Sequence, residues 1–494
     1  PRTDGRSLVS EGVSRPRTDG RSLVSEGVSR PRTDGRSLVS EGVSRPRTIS
    51  TRNAGDDSIS ARNKGGETMA MTLTPEQRSI LDGALGETRA KVMKTLVMYG
   101  ETFGATKMVP VTGEFGHIVT SFGLSVMKPV YKLMDELIAG GALAGQKFSA
   151  DPRPLDKNVP ANALQNLVFK FMYGKQEDYE KQLAQLGILD EDAFTCTCYM
   201  DEVGNTPKEG DVLSWAESSA VVYANSVLGA RCNRNSGIIE LFGSIAGCVP
   251  YFGLLTDEGR KATWIVDVKT AQKPEAQILG SAIGMKVMED VPYVRGLDKF
   301  LGSELNDEAK AYLKDFGAAT ASNGAVGLYH IAGLTPEARA QGEALVAQNA
   351  KTYVVDDAEL MRVRDSYPVV WKDPNAKPRL CFVGCPHLSI GQLRQWTHDI
   401  EAGLKQAGRA KVAVPTVFTT APAVKKAFEK TAEGEKLASM GVAVSSICPL
   451  MYMNNPLCGK MPVITSSNKL RTYTSARYHT DAEILACVTK GVLQ

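Results

Sequence analysis

No run of about 18 apolar residues, the length a helix needs to cross a bilayer, occurs anywhere in this 494-residue sequence. Its longest apolar stretches, such as 219–227, are interrupted by Ser or Asn, which excludes a membrane-spanning helix. An excess of one charge is also missing. With 58 Lys+Arg against 55 Asp+Glu the formal net charge is +3, too little to drive binding to nucleic acid or an anionic membrane. No apolar segment of the signal-peptide kind opens the chain, so the sequence predicts a cytoplasmic protein with reduced thiols. The nine cysteines are odd in number, spread from Cys196 to Cys487, and contain no CxxC pair. That spacing argues against a disulfide scaffold and against a closed structural zinc site. What is present is an ordinary globular composition, 43% hydrophobic and 23% charged.

Residues 1–15 read PRTDGRSLVSEGVSR, and the same letters return at 16–30 and 31–45 before a fourth start at Pro46. Each unit offers only one Leu and two Val for burial, and no aromatic residue precedes Tyr99, so the repeat cannot build a core. With three Arg against one Asp and one Glu, it reads either as a basic flexible arm or as translated repetitive DNA ahead of a start at Met69 or Met71. Residues 1–68 are therefore expected to be a disordered leader outside the fold.

The body, 69–494, alternates helical and strand-like patterns. Helical periodicity runs through Pro75–Tyr99, Met127–Ala139 and Ala161–Leu186. Later segments read as strand then helix: Arg379–Gly384 before Leu388–Gln406, and Val412–Phe418 before Ala421–Thr431. This alternation predicts an α/β fold with parallel strands. Clusters of Pro, Lys and Asp near 272–275 and 367–378 suggest subdomains of roughly 69–271, 272–370 and 371–494, divided at such turn-rich stretches.

Chemistry concentrates in a few motifs. In RLCFVGCPHLSIGQL, Gly384-Cys385-Pro386 is expected to form the turn at a strand's carboxyl end, where a helix N-terminus would stabilise a thiolate at Cys385. A buried structural cysteine is the competing reading there, and the better one for Cys381. The stretch GVAVSSICPLMY repeats the arrangement at Cys448-Pro449, and Cys196 and Cys198 alternate with threonine in TCTCY. Thiolates from three separated loops can hold an iron–sulfur cluster with one iron open. In WAESSAVVYANSVLGARCNRN, the polar residues from Glu217 and Ser218 to Arg234 need partners, because each buried unsatisfied group costs about 1–3 kcal/mol. A substrate in a cleft would supply them, and a structural Glu217–Arg231 ion pair is the plainer alternative. TSSNKLRTY gathers hydroxyls and cations near the end of the sequence.

Taken together, TCTCY, WAESSAVVYANSVLGARCNRN, GCPHLS, the late ICP and TSSNKLRTY resemble the large, catalytic subunit of the aconitase X family, from about Thr106 onward. Cys198 and Cys232 depart from the family pattern, which has proline and threonine there. The resemblance implies an aconitase-like catalytic core of two to three α/β subdomains around a central cleft, completed by a separate small swivelling-domain subunit. It implies a hydro-lyase that dehydrates a small hydroxy acid, with cis-3-hydroxy-L-proline as the first expectation and (R)-5-phosphomevalonate as the alternative. A non-catalytic iron–sulfur scaffold is the reading from another class. Carried over by motif, Cys196, Cys385 and Cys448 correspond to ligands of an iron–sulfur cluster or a mononuclear iron. Gly123, Leu124 and Ser125 correspond to a substrate loop, and Ser218 and Arg471 to further substrate contacts. Asp151-Pro152 stands where the family usually has Asn-Pro, and a carboxylate there would favour an ammonium or imino group over a phosphate. Ser467, with Ser466 as its neighbouring alternative, corresponds to the base, with Glu217 and Lys469 beside it as catalytic groups. Neither nucleic acid nor membrane is expected as a partner.

Overall fold

In the computed structural model, which describes residues 71–493, the two larger sheets are wholly parallel. The expectation for residues 1–68 lies outside the described residues. Between 262 and 355 a four-stranded parallel sheet forms in the order His330–Ile331, Pro292–Arg295, Ala262–Val268, Val346–Val355. Two helices, Ala276–Val287 and Asp307–Asn323, pack on it in close contact. Their approach depends on small residues, since a Cβ on Gly280 would stand 2.4 Å from the Phe316 carbonyl oxygen.

Between 380 and 478 a five-stranded parallel sheet follows the order Val442–Ser445, Thr416–Thr420, Leu380–Leu388, Val463–Thr465, Arg477–Tyr478. Its first strand in sequence, Leu380–Leu388, is central. The chain winds to one side of it through the next two strands and then returns to the other side. The switch point therefore lies beyond the carboxyl ends of Leu380–Leu388 and Val463–Thr465, where open α/β sheets form crevices. Residues 71–250 form a more helical body whose two small sheets have two strands each: Met108–Pro110 with Cys248–Pro250, antiparallel, and Gly116–Ile118 with Phe148–Ala150, parallel.

The α/β reading with parallel sheets holds, and several boundaries move. The pattern expected as one helix over Pro75–Tyr99 is two, Pro75–Leu81 and Glu87–Thr102, because Gly83 and Gly86 take φ of 94° and 92° between them. Ala161–Leu186 likewise divides into Ala163–Met172 and Gln176–Leu186. Cys385 does not sit at a helix N-terminus. Extended backbone continues through Leu388, and the next helix, Ile390–Gln406, is capped by Ser389 through a reciprocal bond with Gln392. The strand departs from its neighbour's register between Val383 and Leu388. Gly384 makes this departure possible: its φ is +109°, and a Cβ there would stand 2.3 Å from the Thr419 carbonyl oxygen.

Candidate active site

Three loops bring thiols to one place. Cys196 follows Phe194, which bridges to Ala150. Cys385 lies on the irregular end of Leu380–Leu388, and Cys448 is the residue before the helix Pro449–Met453. All three line one cavity of about 260 Å³, together with Asp151, Pro152, Glu217, Ser218, His387 and Lys469. Apolar walls are added by Val119, Phe122, Leu450 and Met451. The other six cysteines are 4% exposed or less, whereas Cys385 and Cys448 are each 8% exposed and Cys196 is more open still. Access thus separates the same three cysteines that the motifs single out.

The electrostatic centre is a buried pair. Glu217, the N-cap of the helix Ser218–Ser226, accepts from the Ser219 N–H at 3.1 Å and from Lys469 Nζ. Lys469 also donates to Ser219 Oγ at 3.3 Å. Burial alone would raise the Glu217 carboxyl, but the Lys469 charge and these hydrogen bonds outweigh it and bring it down to about 2. The Lys469 ammonium, which burial would lower, is pushed up by Glu217. Both groups are therefore ionised. Burial and then the Glu217 charge push the Asp151 carboxyl up to about 6, with His117 acting against them. His117 Nε2 lies 3.5 Å from Asp151 Oδ1, and its Nδ1 lies 2.9 Å from Ser149 Oγ. Burial raises all three cavity thiols above their ordinary range, so without a metal they remain protonated.

Several expected residues stand away from this wall. Ser467 caps the helix Asn468–Tyr473, accepts from the Leu470 N–H at 3.1 Å and donates to the Cys385 carbonyl. It lies with Ser466 in an adjoining recess that shares Gly384 and Cys385 with the cavity and is also lined by Gln277, Asp315 and Asp481. Arg471 stacks over the Tyr367 ring at 4.1 Å and donates to Asn468 and Asn323. The loop Gly123, Leu124, Ser125 borders the helix starts instead: Ser125 Oγ donates to the Phe171 carbonyl at 2.8 Å, and a Cβ on Gly123 would meet Gln176 Cα at 2.6 Å. Its neighbours Val119 and Phe122 are the ones that reach the cavity.

Asn225, Ser226, Arg231 and Asn233 of the long ANSVLGARCNRN motif find their partners within the protein, not in an open cleft. Asn225 Nδ2 donates to the carbonyls of Cys232 and Gly327, each at 2.8 Å, while its Oδ1 accepts from the Cys232 N–H at 2.9 Å. Arg231 pairs with Asp257 at 2.6 Å, so the Glu217–Arg231 pair does not form. Sequence reasoning passed over His117 and His387.

Among the described residues, no three Cys, His, Asp or Glu side chains converge tightly enough to enclose a single metal ion. No helix among the described residues is long and apolar enough to cross a membrane.

Three family models match the chain in order: Aconitase X first domain at residues 70–258, second domain at 262–365 and third domain at 378–490. A phosphomevalonate dehydratase large subunit from Thermococcus kodakarensis is 33% identical over 357 residues, 72% of this chain and 82% of that protein. One from Aeropyrum pernix is 29% identical over 413 residues, 82% of this chain and 96% of that protein. A cis-3-hydroxy-L-proline dehydratase from Hypocrea jecorina is 26% identical over 451 residues, 87% of this chain and 69% of that protein. The holo-form crystal structure of Thermococcus kodakaraensis aconitase X superposes with a TM-score of 0.69 at 28% identity, covering 85% of this chain and 100% of that one.

Proposed function

The chain belongs to the aconitase X family, and from that premise we propose that it is the large, catalytic subunit of a hydro-lyase that dehydrates a phosphorylated hydroxy acid of the (R)-5-phosphomevalonate kind. The observation that carries this reading is the cavity whose wall brings three thiols together with the buried Lys469–Glu217 ion pair. The phosphorylated substrate now stands ahead of cis-3-hydroxy-L-proline because the relatives named for it are the more similar. Their designation as large subunits supports a separate small subunit as partner.

Cys196, Cys385 and Cys448 are the residues that would hold the iron group. Thiolates around one tetrahedral ion sit about 2.3 Å from the metal and about 4 Å from one another. Three thiols brought by three separate loops to one cavity suit an iron–sulfur cluster with one iron left open to substrate. When bound, the cluster supplies a Lewis acid that draws electrons from the leaving hydroxyl.

The remaining work belongs to the chain's own groups. Lys469 presents a fixed positive charge to an anionic group of the substrate, and Glu217 keeps that charge in place and ionised. Ser218 offers a hydroxyl on the same wall, and Phe122, Leu450 and Met451 exclude water. Ser467 Oγ is assigned as acceptor of the carbon-bound proton, a role open to its oxyanion, so it must first release the Cys385 carbonyl and give up its own hydroxyl proton to solvent. One observation favours cis-3-hydroxy-L-proline as the second reading: Asp151, a carboxylate on the cavity wall, suits a cationic imino acid better than a phosphate.

The test is anaerobic preparation of the chain with its small subunit, followed by Cys→Ala replacement at 196, 385 and 448. Each replacement is expected to abolish visible absorbance and dehydration, while Cys381→Ala, deep in the core, leaves both. Full iron content in all three variants would refute the ligand assignment.

A further inference from the structure

We infer that His387 is the positioning residue that ties the three cysteine-bearing segments into one site, an inference that rests on the reading of Cys196, Cys385 and Cys448 as one ligand set. His387 is fully buried in the strand Leu380–Leu388, two residues beyond Cys385. Its Nε2 lies 3.1 Å from the carbonyl oxygen of Ile447, the residue before Cys448. Its Nδ1 lies 2.9 Å from Oγ1 of Thr195, the residue before Cys196. A single imidazole on the Cys385 segment thus bonds to the residue preceding each of the other two cysteines.

The protons on this ring follow from its partners. A carbonyl oxygen only accepts, so Nε2 carries the hydrogen and donates to Ile447. In the neutral ring Nδ1 is then an acceptor, and the Thr195 hydroxyl donates to it. The same Thr195 oxygen accepts from the Thr197 N–H at 3.1 Å, which closes the turn around Cys196. Lys314, from the helix Asp307–Asn323, donates to the His387 carbonyl at 3.0 Å and fixes the backbone from a fourth direction. Each polar atom of His387 that points inward has a partner. The backbone of 150–153 also joins the two flanking segments, since Ala150 accepts from the Thr195 N–H at 2.8 Å and Arg153 from the Cys448 N–H at 2.9 Å, but among the described residues no other side chain bonds to both, and His387 alone links them to the Cys385 strand by a side chain.

The arrangement makes segment-specific demands that general destabilisation does not. His387→Gln keeps a donor for the Ile447 carbonyl and loses the acceptor for Thr195. His387→Asn keeps the acceptor and loses the donor. His387→Phe loses both at similar volume, and Thr195→Val removes only the bond on the Cys196 side.

The experiment uses the full chain, stripped of metal with a chelator, with iodoacetamide as the probe and labelling rates read at each cysteine by peptide mass spectrometry. His387→Gln and Thr195→Val are expected to speed labelling of Cys196 about tenfold, the opening cost that one buried hydrogen bond represents. His387→Asn should speed Cys448 instead, and His387→Phe both. Cys381 and Cys487 serve as references. Unchanged rates at Cys196 and Cys448 in His387→Phe, or a uniform rise at every cysteine, would overturn the inference. Iron content of the wild-type chain before stripping reports separately on the ligand assignment, so an iron-free wild type counts against the proposed function while the labelling pattern still decides the role of His387.

Discussion

Removing one partner of the Lys469–Glu217 pair should be far more damaging than removing both. In Glu217→Gln the Lys469 ammonium, only 8% exposed at its side chain, loses its carboxylate and stays charged in a nearly dry site. Breaking a buried ion pair in this way costs about 3–5 kcal/mol. In Lys469→Met the Glu217 carboxylate, 10% exposed, loses the charge that holds it down, and burial drives it toward protonation at a comparable cost. The double variant Glu217→Gln/Lys469→Met leaves no buried charge and keeps an acceptor for the Ser219 N–H, so it should fall within about 1–2 kcal/mol of wild type. The expected coupling energy is therefore about 4–9 kcal/mol. It should also depend on pH with a definite sign. Glu217 titrates at about 2 in the folded chain against an ordinary 4.5, so the pair stabilises fully above 4.5 and loses its contribution as pH falls toward 2. Guanidinium unfolding of the four proteins, followed by circular dichroism at pH 7 and repeated at successively lower pH, measures both effects. Additive single-mutant losses, with the double variant as unstable as their sum, would refute the reasoning.

Three further outcomes follow from the site. Gly384→Ala should displace the Cys385 segment, because the new Cβ would stand 2.3 Å from backbone at a φ of +109°, and it should cost more than about 2 kcal/mol and most of the iron; a variant with wild-type iron content and unfolding midpoint contradicts this. Ser467→Ala should keep the absorbance and substrate binding yet lose turnover by about 10² or more, whereas Ser466→Ala should be milder; equal losses in the two would remove Ser467 as the base. Asp151 titrates at about 6 when folded against an ordinary 3.8, so the fold favours its protonated form, and stability should decline as pH rises from about 4 to 6 and level off above; Asp151→Asn should flatten that decline, and an unchanged pH–stability curve would show that this carboxyl does not titrate as described.

Much of the catalytic half was legible because its logic is local. The pattern of short β-branched runs before amphipathic helices predicts parallel α/β winding, and the central strand Leu380–Leu388 with the later Val463–Thr465 bears this out. The thiols could be chosen because two precede proline near strand ends and the third sits in a recognisable motif. What sequence could not show was partnership. The expected cleft-lining role of Asn225 fails because the backbone of the nearby Cys232 and of Gly327, about a hundred positions away, returns to it. The motif makes Arg471 a substrate contact, but it stacks on an aromatic ring and donates to two amides, and only the packing of the helix Asn468–Tyr473 reveals that Lys469, two residues earlier, faces the cavity instead. The break of Pro75–Tyr99 into two helices was in principle visible at Gly83 and Gly86. The continuation of the Cys385 strand past Gly384 was not, because glycine and proline are ordinary signs of a turn, and here the segment leaves its neighbour after Val383 and rejoins it at Leu388.

The most direct test of the account is a side-by-side dehydration assay of (R)-5-phosphomevalonate and cis-3-hydroxy-L-proline, using the anaerobically prepared chain reconstituted with its small subunit. The account predicts turnover of the phosphorylated acid with a kcat/KM at least about tenfold above that for the imino acid, a preference of 1.4 kcal/mol or more. Turnover of cis-3-hydroxy-L-proline alone, or of neither compound by an iron-loaded complex, would contradict it.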